Sequence, residues 1–86
     1  MASYHIEWKP SALKELKRLP RDVIPRIIAA VEALGINAFP QGVVRIKGYH
    51  HVYRIRIGDY RVVYTVEDDI LRIEIIRVRH RRDVYR

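Results

Sequence analysis

The sequence predicts an α+β domain in the order β-α-α-β-β-β, with two antiparallel N-terminal helices on one face of a mostly antiparallel sheet. Three observations predict it. Two early stretches repeat apolar residues at helical spacing, Ala12 to Leu19 and Val23 to Leu34. The chain after Gly42 is dominated by Val, Ile and Tyr in alternation. Gly58-Asp59 separates two of those alternating runs by two residues, the spacing of a tight hairpin.

Each element has a local reason. Ser3–Trp8 alternates and carries Tyr, Ile and Trp, so it reads as a short first strand. Pro10 marks a helix entry, where a missing N–H is harmless, and Ala12, Leu13, Leu16 and Leu19 form the stripe that Pro20 ends. Asp22 is the expected N-cap of a second helix, with Pro25 in its first turn and Val23, Ile27, Val31 and Leu34 buried. Gly35 suits a left-handed position after the last turn. Beyond the loop Asn37–Gly42, strand pattern covers Val43–Lys47, Val52–Ile57, Tyr60–Glu67 and Ile70–Val78.

The hairpin fixes a register. With Gly first in a type II′ turn, Ile57 opposes Tyr60, Arg56 opposes Arg61, Ile55 opposes Val62 and Arg54 opposes Val63. Opposed residues share a face, so Tyr53, Ile55, Ile57, Tyr60, Val62 and Tyr64 point to the core while Arg54, Arg56 and Arg61 point away. Like charges directly across a ladder repel, so stability alone gives no reason to pair Arg56 with Arg61. Phosphate binding does. The competing reading is a solvated outer face neutralised by Asp59, Glu67 and Glu74.

Bulk properties bound the function. At 86 residues the chain makes a single domain, residues 1–86, and without cysteine its small core relies on packing rather than disulfides or thiolate metal sites. No apolar leader or membrane-length stretch is present, so a cytoplasmic, membrane-free address is expected. Net charge is +7 and uneven: +2 over residues 1–42 and +5 over residues 43–86, where ten of eleven cations are Arg. The planar guanidinium fork matches phosphate, which makes the second half an anion-binding surface. The last segment, Val78 to Arg86, interleaves His80 and Tyr85 with Arg79, Arg81 and Arg82, a mixture suited to base stacking beside phosphate contacts. Neither carboxylate clusters nor HExxH-type spacing points to a metal, and His50-His51 lacks supporting ligands; no cofactor is implied.

The run YRIRIGDYRVVYTVEDDILRIEIIRVRHRRDVY resembles the RelE/ParE toxin superfamily of type II toxin–antitoxin systems, and YHIEWKPSALKELKRLP and VVRIKGY are similar to the family's first strand, first helix and second strand. The resemblance implies a RelE-like fold and a ribosome-dependent mRNA endoribonuclease, restrained by a cognate antitoxin, with a toxin–antitoxin heterotetramer among the assemblies it admits. Carried over by position, the family's catalytic groups fall on Arg54, Arg56, Arg61, Arg81 and Tyr85. His80 is added as a proton shuttle on chemical grounds, and Arg45, Lys47 and Arg82 as RNA-binding. This chain departs from well-studied RelE members in carrying Arg54 and Arg56 where those have lysines, and an arginine cannot serve as a base. Two alternatives follow: a ParE-like gyrase poison, or a catalytically weak antitoxin- or RNA-binding relative.

Overall fold

The computed structural model describes residues 3–83. Its elements are β1 (His5–Trp8), α1 (Pro10–Lys17), α2 (Ile24–Leu34), β2 (Val44–Arg45), β3 (Val52–Ile57), β4 (Tyr60–Glu67) and β5 (Arg72–His80). They form one sheet in the order β1-β5-β4-β3-β2. All pairings are antiparallel except β1 with β5, which is parallel and runs from His5↔Arg72 to Trp8↔Ile75. All five stretches read as strands are present, one more than the order β-α-α-β-β-β counts, and the second is only the two-residue β2 rather than Val43–Lys47. Gly48, with φ +86°, turns the chain away soon after it.

Both helices cover one face of the sheet. Ala12 and Leu16 of α1 and Ile27, Val31 and Leu34 of α2 bury against Ile55, Val62, Tyr64, Val66, Ile73, Ile75 and Val78. Pro10 stands at the start of α1, as expected. The start of α2 differs: Val23 is the boundary residue, Asp22 is exposed, and no side chain caps the helix. A turn closed by Val23 N–H to Pro20 O at 3.0 Å occupies the place a capping Asp would need. Gly35 also differs, since its φ is −60°. A Cβ there would lie 3.3 Å from Tyr4 O, and Tyr4 N–H donates to Gly35 O at 2.7 Å, so the absent side chain eases the close approach of the chain entering β1.

The hairpin register is as read from the sequence: Ile57↔Tyr60, Arg56↔Arg61, Ile55↔Val62 and Arg54↔Val63. Gly58 carries φ +60°, as the first position of a type II′ turn needs. Tyr64 is fully buried and donates its hydroxyl to Ala38 O at 2.8 Å; burial, helped by neighbouring Tyr53, pushes its phenol up to about 12.

One irregularity bears on function. Val63 pairs with Arg77 but Tyr64 pairs with Ile75, so Ile76 is an extra residue in β5. This bulge changes the phase of alternation: Ile73 and Ile75 face the core before it, and Val78 faces the core after it. Arg77 and Arg79 consequently come to the face opposite the helices.

Candidate functional site

The uncovered sheet face carries a cleft of about 640 Å³. Its floor is Arg54, Arg61, Val63, Ile76, Arg77 and Arg79, and one wall is Val44, Arg45, Ile46, Lys47 and Tyr49. Six lining residues are cationic and no carboxylate lines it. The carboxylates proposed as neutralisers lie elsewhere. Glu67 holds Arg72 at 2.6 Å, Glu7 adds a 3.4 Å contact to the same guanidinium, and Asp59 lies 3.8 Å from Arg81. Among the described residues Arg45, Lys47, Arg54, Arg61 and Arg77 have no ion-pair partner within 4 Å.

Arg61 is the centre of this charge. It opposes Arg56 on one neighbouring strand and Arg79 on the other. Its Nη1 is buried without a hydrogen-bond partner among the described residues. A buried donor left unmade costs on the order of 1–3 kcal/mol, more for a charged group, and like charges across a ladder add to that. An anion seated in the cleft would offset the like-charge repulsion.

The expected residues divide. Arg54 and Arg61 lie together in the cleft, with Arg45 and Lys47 on its wall. Arg56 opposes Arg61 but does not line the cleft; its Nε donates to Gly58 O at 2.9 Å, which ties the side chain to the hairpin turn. Arg81 lies past β5 beside that turn, its N–H bonded to Asp59 O at 2.7 Å and its side chain exposed. The exposed Arg82 donates its N–H to His80 Nδ1 at 3.2 Å. Tyr85 lies outside the described residues.

His80 stands apart from the cleft. It opposes Tyr60, packs edge-on against that ring at 5.3 Å, and lines a depression on the helix side. Alternation through β5 puts Arg79, not His80, on the arginine face. Arg77, Arg79 and Tyr49 are lining residues that the sequence reading did not single out. The broken alternation Ile75-Ile76-Arg77-Val78 was the available signal for the two arginines.

Guanidinium groups interspersed with Val63 and Ile76, with an exposed phenol at the side, suit an anion that also presents apolar surface. Fold and cleft together define a small basic α+β protein with an uncovered, cationic sheet face.

The comparisons agree in family. Residues 6–85 match the family described as ParE toxin of type II toxin-antitoxin system, parDE. The chain is 35% identical over 77 residues to toxin RelE3 of Methanocaldococcus jannaschii, covering 85% of each. Its fold is similar to RelE in the RelE–RelB complex of Pyrococcus horikoshii (TM-score 0.83, 26% identity, covering 95% of this chain and 99% of that one). It is also similar to a chain of the RelB–RelE antitoxin–toxin complex of Methanococcus jannaschii (TM-score 0.75, 32% identity, 92% and 94% covered). The chain therefore belongs to the RelE/ParE toxin superfamily of type II toxin–antitoxin systems, on its RelE-like branch.

Proposed function

We propose that this toxin is a cytoplasmic endoribonuclease that cuts mRNA in the ribosomal A site and is held inactive by a cognate antitoxin. The observation that carries the reading is a cleft lined by six cations, with Arg61 in its floor, and among the described residues by no carboxylate. The Pyrococcus and Methanococcus relatives were each solved bound to a RelB antitoxin, which supports the same class of partner here.

RNA supplies its own nucleophile. A ribose 2′-hydroxyl attacks the adjacent phosphorus, the P–O5′ bond breaks, and a 2′,3′-cyclic phosphate and a 5′-hydroxyl result. One proton leaves the 2′ oxygen and one reaches O5′. Arg54 and Arg61 stabilise the charge that grows on the nonbridging oxygens, while Arg45 and Lys47 hold the flanking backbone. By the family resemblance Arg81 and Tyr85 belong to the catalytic set, and Arg82 adds a phosphate contact. Arginine does not exchange protons in this range, so Lys47, Tyr49 and Tyr85 are the side chains suited to that task. Arg56 acts indirectly by fixing the turn that presents Arg61.

The matched family's description names ParE, which favours a gyrase poison as the second reading. Incubation with programmed ribosomes and, separately, with gyrase and supercoiled DNA decides between them. Cuts within the A-site codon are expected; gyrase-linked DNA breaks with intact mRNA would overturn the nuclease.

A further inference from the structure

One carboxylate, from the opposite layer of the protein, reaches the arginine cluster. β1 stops pairing at Trp8↔Ile75, so β5 has no strand neighbour on that side from Ile76 onward. Glu15 of α1 fills the gap. Its Oε1 accepts the Val78 N–H at 3.0 Å and its Oε2 accepts Arg79 Nε at 2.8 Å. Both side chains are shielded, Arg79 at 31% and Glu15 at 23% exposure, so the pair is better protected from screening than a surface ion pair. Among the described residues it is the one ion pair made by a cleft-lining cation.

The geometry leaves Arg79 useful. Its Nε is taken, but among the described residues its terminal nitrogens make a single hydrogen bond, a long 3.5 Å one from Nη1 to Asp83 O. Arg79 opposes Arg61 across the ladder and stands at the rim between the cleft and the depression beside α1 that Glu15 and Asp83 line, so it borders both. A guanidinium held through Nε presents its two terminal nitrogens outward as a fork, the arrangement that takes a phosphate in bidentate fashion. The Glu15 charge also offsets the repulsion between Arg79 and Arg61 when no anion is bound.

We infer that Arg79 is a phosphate-binding residue of the cleft and that Glu15 is its positioning residue, setting the guanidinium fork toward the RNA backbone from α1. This rests on the nuclease reading of the cleft. Neither residue was implied by the family resemblance, and the bulge at Ile76 is what brings Arg79 to this face.

The test is a double-mutant cycle in ribosome-dependent cleavage. Glu15→Gln is nearly isosteric and keeps an oxygen for the Val78 N–H, while its amide cannot accept from Arg79 Nε. It should lower kcat/KM about 10-fold, the loss of one charge-assisted hydrogen bond. Arg79→Ala should lower it further, and adding Glu15→Gln to Arg79→Ala should change kcat/KM less than twofold. A full additional loss in the Arg79→Ala background, or none in the wild type, overturns the proposal. Arg79→Lys serves if Glu15→Gln does not fold: it keeps the ion pair and the melting temperature but loses the fork, so cleavage should drop as far as in Arg79→Ala, and wild-type cleavage would refute the phosphate-binding role of Arg79 for which Glu15 is the positioning residue. Arg61→Met runs alongside as a control. Impaired Arg61→Met with unaffected Glu15→Gln sinks this proposal alone, whereas unimpaired Arg61→Met sinks the nuclease reading beneath it.

Discussion

Replacing Arg61 with Met should make the free protein more stable and the toxin nearly inactive. Arg61 lies between Arg56 and Arg79 in adjacent strands, and its buried Nη1 has no partner. Met keeps much of the aliphatic stem that packs on the sheet while removing the charge and the orphan donor. Relief of the unmade bond, about 1–3 kcal/mol, less some lost packing leaves a net gain of about 1–2 kcal/mol. For a domain of this size that raises Tm by about 4–8 °C per kcal/mol. Cleavage should fall by about 2–4 kcal/mol of transition-state stabilisation, roughly 30- to 900-fold in kcat/KM. Thermal melts followed by circular dichroism read the first effect, and single-turnover cleavage of ribosome-bound mRNA reads the second. Phosphate or sulfate should raise the wild-type Tm more than the variant's, because an anion that binds only the folded cleft stabilises it by linkage. A variant that melts lower and cuts as fast as wild type would show Arg61 to be a structural residue and refute the reasoning.

Other outcomes follow from the same geometry. His80→Ala should leave the pH profile of cleavage unchanged, since His80 lies against Tyr60 on the helix side, and a shifted profile would contradict that placement. Tyr64 binds its proton more tightly folded (about 12) than unfolded (10.0), so its contribution is complete below pH 10 and is lost as pH rises toward 12, about 1.4 kcal/mol per unit. Urea titrations from pH 9 to 11.5 should show this fall, and Tyr64→Phe should flatten it while destabilising by about 1 kcal/mol through the unpaired Ala38 carbonyl. Gly58→Ala should cost about 1–2 kcal/mol because φ is +60°, with the nearby Arg26 guanidinium able to swing aside; an unchanged denaturation midpoint would argue against the type II′ turn.

What was legible in the sequence had a short-range cause. The hairpin register needed only alternation and a glycine at the turn, and it placed Arg54 and Arg61 on one face before any coordinates. The helices followed from stripes and prolines. What stayed hidden depended on contacts distant in sequence. Asp22 looks like a cap until the Pro20 turn displaces the boundary to Val23, and Gly35 looks like a left-handed terminator until β1 crowds it. Arg56 satisfies alternation, yet a nearby carbonyl captures its guanidinium. The largest omission was in β5, where a single extra residue decides which side chains share a face. Simple alternation from either end misplaces half the strand, and only pairing with β4 reveals that Arg77 and Arg79 join the cluster while His80 leaves it.

The central claim is that RNA is gripped on the sheet face away from the helices. Arginine Nε–Hε resonances, recorded while titrating a 2′-O-methyl oligonucleotide that cannot be cut, test it most directly. Arg54, Arg61, Arg77 and Arg79 should shift at low oligonucleotide concentration while Arg18 and Arg21 stay in place. Shifts confined to Arg18 and Arg21, with the cleft arginines unmoved, would put the RNA on the wrong side of the protein and contradict the account.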